Sequence, residues 1–211
     1  MEWNLNVNVD KFLIDFNTGK ISYINLDTNE ESIIDESPSE EESKNLDTHL
    51  AIVGSRTITN EKFVNRILNC YKFMFGKPTC IISGGAKGID TIGETWADTL
   101  GIEKKIFLPD WDKYGKRAGF IRNEDIIKNC DICLAIWDGG SNGTKNDFEL
   151  CEKYCKNLLI FNMKEFKSGT FSGFYYKPYS KKKQSQPQPS KRPQNQPKTN
   201  RWLPQPGVIK L

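Results

Sequence analysis

The sequence has no apolar run that approaches the roughly 20 residues of a membrane-spanning helix, and it contains a single histidine, His49. Its first residues alternate in polarity instead of forming a basic start and an apolar stretch, so we expect neither a secretory leader nor a membrane partner. One histidine makes a His-dependent catalytic triad and a His-ligated metal site implausible. These absences favour a cytoplasmic, intracellular protein.

Disulfides are not expected either, because the six cysteines of a chain without a leader should be reduced thiols. The spacings Cys130-x2-Cys133 and Cys151-x3-Cys155 resemble zinc-ligand spacings only superficially. Cys133 falls inside an apolar strand candidate, Cys151 and Cys155 share a helix face, and cysteine is a common core residue. We therefore predict no metal site, and we predict no cofactor.

Acidic residues are absent from residue 166 onward, where ten Lys or Arg and seven of the ten prolines lie. Residues 27–47 hold nine acidic residues and one Lys. Neither segment has the apolar content of a core, so we expect an acidic disordered linker at 27–47 and a basic, Pro/Gln-rich disordered tail at 165–211. The tail could make weak nucleic-acid contacts, act as a nuclear-localisation signal, fold back on the linker, bind a partner or remain solvated.

Two folded parts are predicted. One precedes the acidic linker, and the other lies between the linker and the basic tail. Residues 1–26 read as a small β-hairpin unit, because Asn17-Thr18-Gly19-Lys20 separates two apolar stretches. Residues 48–164 alternate charge-free strand candidates with helical patterns. This alternation predicts an α/β fold, a Rossmann-like three-layer sandwich with a parallel sheet of about five or more strands.

The first strand of that core ends in Gly54, Ser55 and Arg56, and ligands of open parallel sheets bind beyond the carboxyl ends of the strands. Glycine allows close approach, a hydroxyl can donate a hydrogen bond, and a guanidinium can grip a phosphate. The alternative is an ordinary strand-to-loop turn with a solvated Arg56.

The second strand is followed by a glycine-rich turn, 83–90. Its backbone is open to an anion at the start of a helix. Asp90 could contact a ribose hydroxyl or simply complement the helix dipole, and Lys87 could neutralise phosphate or face water. The ligand-binding candidates of this turn are Ser83, Gly84, Gly85, Lys87, Gly88 and Asp90.

A second glycine-rich turn, 138–144, follows the fourth strand. Thr144 reads as a helix N-cap, so Asp147 either completes a capping box or places a carboxylate at the mouth of an anion site. The candidates here are Gly139, Gly140, Ser141, Gly143 and Thr144. Neither turn matches G-x-G-x-x-G or G-x-x-x-x-G-K-[ST], which argues against an NAD dehydrogenase and a P-loop NTPase.

A segment rich in aromatic and basic residues, 111–124, follows the third strand and therefore lies at the same sheet edge. Trp111 and Tyr114 could flank a base, and Arg122 with Asn123 could reach the ligand. The alternative is an exposed basic helix.

Taken in order, these motifs resemble the SLOG superfamily, in particular its YspA-like branch and, more distantly, DprA and the LOG phosphoribohydrolases. The resemblance covers about residues 49–162 and also includes Trp96-Ala97 and Gly119. It implies a Rossmann-like domain that binds a nucleotide or nucleotide-derived ligand as a sensor or processing module, and it implies self-association into a homo-oligomer.

The same resemblance identifies two catalytic candidates. LOG enzymes carry P-G-G-x-G-T-x-x-E with a catalytic Glu, and they also use an Arg. Here Asp138 replaces the Pro, one residue is inserted between Gly140 and Gly143, and Asp147 stands at the acid position. Arg122 is the nearest candidate for the family's Arg. These departures from the LOG motif weaken the hypothesis of hydrolysis more than the hypothesis of ligand binding.

Three functions therefore remain open. The first is binding of a nucleotide-derived small molecule. The second is a LOG-like phosphoribohydrolase that cleaves an N-glycosidic bond, in which Asp147 polarises the ribose and Arg122 steadies phosphate. The third is a DprA-like nucleic-acid-binding protein aided by the basic tail.

Overall fold

The structure is a computed structural model that describes residues 7–15, 18, 20–25, 28–34, 47–166 and 170–178. The chain divides into two units, Met1–Tyr179 and Ser180–Leu211. All described residues belong to the first unit. The predicted tail beyond residue 178 and the predicted linker between residues 35 and 46 lie outside the described residues.

The described strands form one nine-stranded sheet in the order β3-β2-β1-β9-β8-β7-β4-β5-β6. Their bounds are β1 (Val7–Asp15), β2 (Ile21–Asn25), β3 (Glu31–Ile34), β4 (His49–Gly54), β5 (Cys80–Ser83), β6 (Glu103–Ile106), β7 (Ile132–Trp137), β8 (Asn157–Asn162) and β9 (Thr170–Pro178). Strands β8, β7, β4, β5 and β6 are parallel, and the four strands beyond β8 pair antiparallel. The five parallel strands confirm the predicted Rossmann-like sheet.

Helices connect the parallel strands. Their bounds are α1 (Glu61–Phe75), α2 (Ile89–Leu100), α3 (Trp111–Tyr114), α4 (Ala118–Asn129) and α5 (Asn142–Lys153), with short 3-10 turns at Gly115–Arg117 and Met163–Glu165. None of the helices in the described part of the chain is both long and apolar enough to cross a bilayer.

The sequence of α1 shows why these segments are helical. Asn60 caps the helix by accepting a hydrogen bond from the Phe63 N–H at 3.1 Å. Val64, Ile67 and Tyr71 are buried at helical spacing, so one face packs on the sheet.

Side chains of the central strands alternate between two cores. On β4, Leu50 and Ile52 pack on the side of α1 and α2, whereas Ala51 and Val53 pack on the side of α4 and α5. Both faces are therefore buried, which is why these strands carry no charged residue within them. The result is the predicted three-layer sandwich.

The N-terminal hairpin extends this sheet. The Asp15 N–H donates to the Lys20 carbonyl at 2.9 Å, which closes the turn between β1 and β2. Ile14 and Ile21 are paired across the hairpin and buried in the same core as α1. A two-stranded hairpin is marginal alone, and packing on the main domain supplies the missing burial.

Strand β9 connects the hairpin to the parallel strands, because it lies between β8 and β1 and pairs with both. We expected its residues, 170–178, to belong to a disordered tail, and we expected residues 31–34 of β3 to belong to the acidic linker. Both segments instead pair with the sheet. The aromatic and β-branched content of each short stretch favours a strand, and the polar composition of its surroundings masked that signal.

Candidate functional site

The order of the parallel strands reverses between β4 and β7, and a cavity of about 490 Å³ opens there beyond the carboxyl ends of the strands. This is where open α/β sheets bind ligands, and the volume suits a small molecule. Ten of the predicted site residues line it: Gly54, Arg56, Asp90, Arg122, Asn123, Gly140, Ser141, Gly143, Thr144 and Asp147.

Arg122 of α4 forms a buried ion pair in the cavity wall. Its Nη1 donates to Asp90 Oδ2 at 3.3 Å, and the two side chains are only 10% and 5% exposed. The absent side chain of Gly84 makes room for this pair, because a Cβ there would lie 1.2 Å from Arg122 Nη1. The first glycine turn therefore seats an arginine of the protein itself.

Asp90 holds the first glycine turn to the start of α2. Its Oδ2 also accepts the Ala86 N–H at 3.2 Å. Burial raises the pKa of the Asp90 carboxyl, while the Arg122 guanidinium and the Ala86 N–H act in the opposite direction. An acid at this position serves both the helix terminus and the ion pair.

Asp147 of α5 is a buried acid that faces the same cavity. It is 4% exposed, and no hydrogen bond to its Oδ1 occurs among the described residues. Burial raises the pKa of Asp147 well above its usual range. The Arg122 guanidinium opposes this increase, and the Asp90 carboxylate adds to it. Burial therefore opposes the charged form of Asp147, and the protonated form of the carboxyl group can donate a hydrogen bond.

Ser83 supports the first glycine turn without lining the cavity. Its hydroxyl is fully buried, donates to the Glu94 carboxylate and accepts the Gly85 N–H at 3.2 Å. The Ser83 hydroxyl therefore links the first turn to the Glu94 side chain of α2.

The second glycine turn is closed by its own first residue. Asp138 Oδ1 accepts the N–H groups of Gly140 at 2.9 Å and Ser141 at 2.8 Å, and its Oδ2 accepts the Thr57 hydroxyl at 2.8 Å. Partial burial opposes ionisation, but these hydrogen bonds together with that of Ser55 lower the pKa of Asp138 to about 2. Asp138 is thus a carboxylate at neutral pH.

Ser55 joins the ends of β4 and β7. The Asp138 N–H donates to its hydroxyl at 3.1 Å, and its own N–H donates to the Ile136 carbonyl at 3.1 Å. The side chain is fully buried and so supports the site from within.

The predicted N-cap Thr144 would start helix α5 at Lys145, but the helix starts three residues earlier, at Asn142. Ser141 is the N-cap and accepts the Thr144 N–H at 3.4 Å, whereas the predicted cap Thr144 donates its hydroxyl to Ser141. Asn123 donates to the Gly143 carbonyl at 3.3 Å and so joins α4 to this helix start. A capping box joins the N-cap residue to the residue three positions later. Because the N-cap is Ser141 and not Thr144, Asp147 lies beyond that position.

The remaining predicted site residues do not line the cavity. Trp111 and Tyr114 are 52% and 40% exposed on α3, and Lys87 is exposed. Gly139 is covered by Lys164, whose Nζ donates to its carbonyl at 3.3 Å. Two further glycines, Gly85 and Gly88, have positive φ and shape the first turn without lining the cavity.

Sequence reasoning missed four residues that line the cavity: Val53, Thr57, Ala86 and Asp138. The role of Asp138 could have been predicted from the sequence. An Asp at the start of a glycine-rich turn favours an Asx turn, in which its side chain accepts the N–H of the residue two positions later. Thr57 had none, since its bond to Asp138 joins residues that are 81 positions apart.

The cysteines do not assemble a metal site in the described part of the chain. No group of three or more His, Cys, Asp or Glu there could hold a metal ion. Cys130, Cys133 and Cys151 are buried on the α4 and α5 side of the sheet. Burial raises the pKa of the Cys130 thiol to about 12, so it is an unreactive core residue.

Comparison with known proteins supports the motif-based resemblance. Residues 48–114 match the model of YAcAr, the YspA, cpYpsA-related SLOG family. The Gene 61 protein of Mycobacterium phage D29 is 32% identical over 79 residues, a stretch that covers 35% of this chain and 63% of the phage protein. The match therefore spans less than two thirds of that relative. No solved structure matches the chain significantly.

Proposed function

Since residues 48–114 match the model of a SLOG family, we propose that the cavity binds a nucleotide or nucleotide-derived ligand. The observation that carries the proposal is the cavity at the strand-order reversal, which combines an ion pair, a buried acid and an exposed arginine. Convergent polar groups in such a cavity are typical of a ligand site.

The polar groups suit different parts of a nucleotide. Arg56 lies exposed at the end of β4 and provides a guanidinium for phosphate. Asp147 and Asp90 lie deeper and provide carboxyl groups for sugar hydroxyls. Because ribose hydroxyls both donate and accept, they match a protonated Asp147 beside the Asp90–Arg122 pair.

Binding without chemistry is favoured over hydrolysis by the state of the two catalytic candidates. Asp90 already neutralises the charge of Arg122 through Nη1, so a phosphate would gain less from this guanidinium than from an unpaired cation, although Nε has no hydrogen-bond partner among the described residues. Burial opposes the ionisation of Asp147, whereas an oxocarbenium-like transition state gains from a charged carboxylate.

Hydrolysis of an N-glycosidic bond is the second candidate function, because a buried acid with a raised pKa in a cavity is a recurrent feature of catalytic sites. In this hypothesis Asp147 is the proton donor to the leaving base. The nucleic-acid hypothesis depends on a tail outside the described residues, and it stays a prediction.

A ligand screen tests the proposal. Nucleoside monophosphates, ADP-ribose and cyclic nucleotides are each added to the full chain, and the melting temperature and free base are measured. A binder gains thermal stability without base release. The Arg56→Ala variant should lose at least part of the gain for phosphorylated ligands, whereas Asp125→Asn, an exposed acid on α4, should behave as wild type.

Base release would instead support the hydrolase. In that case Asp147→Asn should abolish release and leave binding in place. Release that survives this substitution would contradict the role given to Asp147, and the absence of any ligand-induced shift would contradict the binding proposal.

A further inference from the structure

The second glycine turn already holds an anion, which the chain supplies itself. The N–H groups of Gly140 and Ser141 converge on Asp138 Oδ1 at 2.9 and 2.8 Å. Successive backbone N–H groups of this kind, next to a helix start, form the concave cradles that bind phosphate oxygens. Here the carboxylate takes the place of the phosphate.

Asp138 is held firmly in this position. Its second oxygen accepts the Thr57 hydroxyl at 2.8 Å, and its own N–H donates to the Ser55 hydroxyl at 3.1 Å. A ligand phosphate would have to displace a carboxylate with three hydrogen bonds, or else lie beside a like charge. Both are unfavourable in the partly buried environment of the cavity.

The other charges of the cavity do not compensate for this carboxylate. The charge of Arg122 is neutralised by Asp90, although its Nε has no hydrogen-bond partner among the described residues. Among the described residues that line the cavity, Arg56 is the cation for which no ion pair is found, and it lies exposed at the rim. Asp147 is buried, and its Oδ1 has no hydrogen-bond partner among the described residues. The part of the cavity next to Asp147 is therefore suited to a neutral polar group of the ligand.

We propose that Asp138 determines the specificity of the cavity by excluding phosphate from the second glycine turn. The ligand class is then a nucleoside or a nucleotide with a single phosphate at Arg56, and nucleoside di- and triphosphates are rejected. The ligand class rests on the proposed function, whereas the occupied cradle rests on the contacts of Asp138 alone.

Two substitutions separate the charge of Asp138 from its occupancy of the cradle. Asp138→Asn removes the charge but keeps an oxygen that can accept both N–H groups. Asp138→Ala removes the oxygen as well and leaves the cradle open. Melting temperatures of the wild type and both variants are measured in inorganic phosphate and in chloride of equal ionic strength, so that general salt effects are shared by all three.

We expect phosphate at about ten times its dissociation constant to raise the melting temperature of Asp138→Ala by about 3 °C or more beyond the shifts of Asp138→Asn and the wild type. Equal shifts for the three proteins would overturn the inference. They would mean that the turn does not bind phosphate even when it is vacant.

A second measurement uses the wild type and so does not depend on the folding of a variant. Affinities are determined for adenosine and guanosine and for their 5′-mono-, di- and triphosphates. Like charges several ångström apart near a protein surface should weaken triphosphate binding at least about tenfold relative to the monophosphate. Triphosphate binding that is as tight as monophosphate binding would contradict the proposed specificity.

The two failures can be distinguished. If the wild type binds no nucleoside or nucleotide but Asp138→Ala gains phosphate binding, the proposed function fails and the occupied cradle stands. If the wild type binds adenosine monophosphate but Asp138→Ala gains nothing and triphosphates bind equally well, the proposed function stands and this inference fails.

Discussion

Replacing Gly84 by alanine should break the buried ion pair in the wall of the cavity. The new Cβ would lie 1.2 Å from Arg122 Nη1, 2.4 Å from Arg122 Cζ and 2.9 Å from Asp90 Oδ2. The guanidinium therefore has to leave its position, although the backbone of the turn can stay. Asp90 is left buried without its cationic partner.

The size of the effect follows from that loss. Removing one partner of a buried ion pair destabilises a protein by about 3–5 kcal/mol, and a displaced arginine keeps part of the interaction, so we expect about 2–4 kcal/mol for Gly84→Ala. For a chain of this size, that corresponds to a fall in melting temperature of about 4–16 °C. Ligand binding should weaken as well, because Arg122 lines the cavity.

Urea unfolding of four proteins measures the effect: the wild type, Gly84→Ala, Arg122→Ala and the double variant. If the alanine acts by displacing the arginine, its cost should largely disappear in the Arg122→Ala background. Gly119→Ala is the matched control on α4, because its Cβ would meet Trp111 at 3.6 Å, an ordinary contact. The control should be neutral or stabilising by up to about 1 kcal/mol.

A free energy of unfolding of Gly84→Ala within about 0.5 kcal/mol of the wild type, where neutral surface substitutions fall, would refute the reasoning. So would an undiminished cost in the Arg122→Ala background. The first result would mean that the ion pair contributes little, and the second that the glycine is needed for some other reason.

Three further predictions concern stability. Burial raises the pKa of Asp147, so its ionisation lowers the stability of the wild type as pH rises from about 4 through the folded pKa. The free energy of unfolding of Asp147→Asn should therefore increase relative to that of the wild type by up to about 1.4 kcal/mol per pH unit in that window. A difference in urea unfolding that does not change with pH would argue against this. Ser55→Ala removes the acceptor of the Asp138 N–H and should lower the free energy of unfolding by about 1–3 kcal/mol, measured in the same way. A chain that ends at residue 169 lacks β9, which exposes the edge of β8, so light scattering should show aggregation on heating below the wild-type melting temperature.

Local patterns were sufficient to predict the central domain. The apolar runs 132–137 and 80–83 form β7 and β5 over their full length. Each run is short, free of internal charge and next to a helical pattern, and such a segment has few structures open to it. The position of the cavity followed from the same reading, because parallel strands bring their carboxyl ends to one edge.

The peripheral strands were harder to predict because their stability is not local. The residues of β9 pair with β8 on one side and with β1, more than 150 positions earlier in the chain, on the other. Composition marks the surroundings of β9 as polar and proline-rich, and it holds no information about a distant partner. A strand of this kind is decided by the sheet edge that receives it.

The glycine-rich turns show the same division. The sequence by itself determined that two such turns would follow strands of one parallel sheet, because glycine content and strand periodicity are properties of neighbouring residues. Only the tertiary structure decided what the turns hold. Gly84 makes room for Arg122, 38 positions later, and the second turn closes on Asp138 with the help of Thr57, 81 positions earlier. The physical reason is that the open backbone of a glycine-rich turn accommodates whichever group the fold brings next to it. In this protein the first turn accommodates the Arg122 side chain, and the N–H groups of the second turn bind the Asp138 carboxylate.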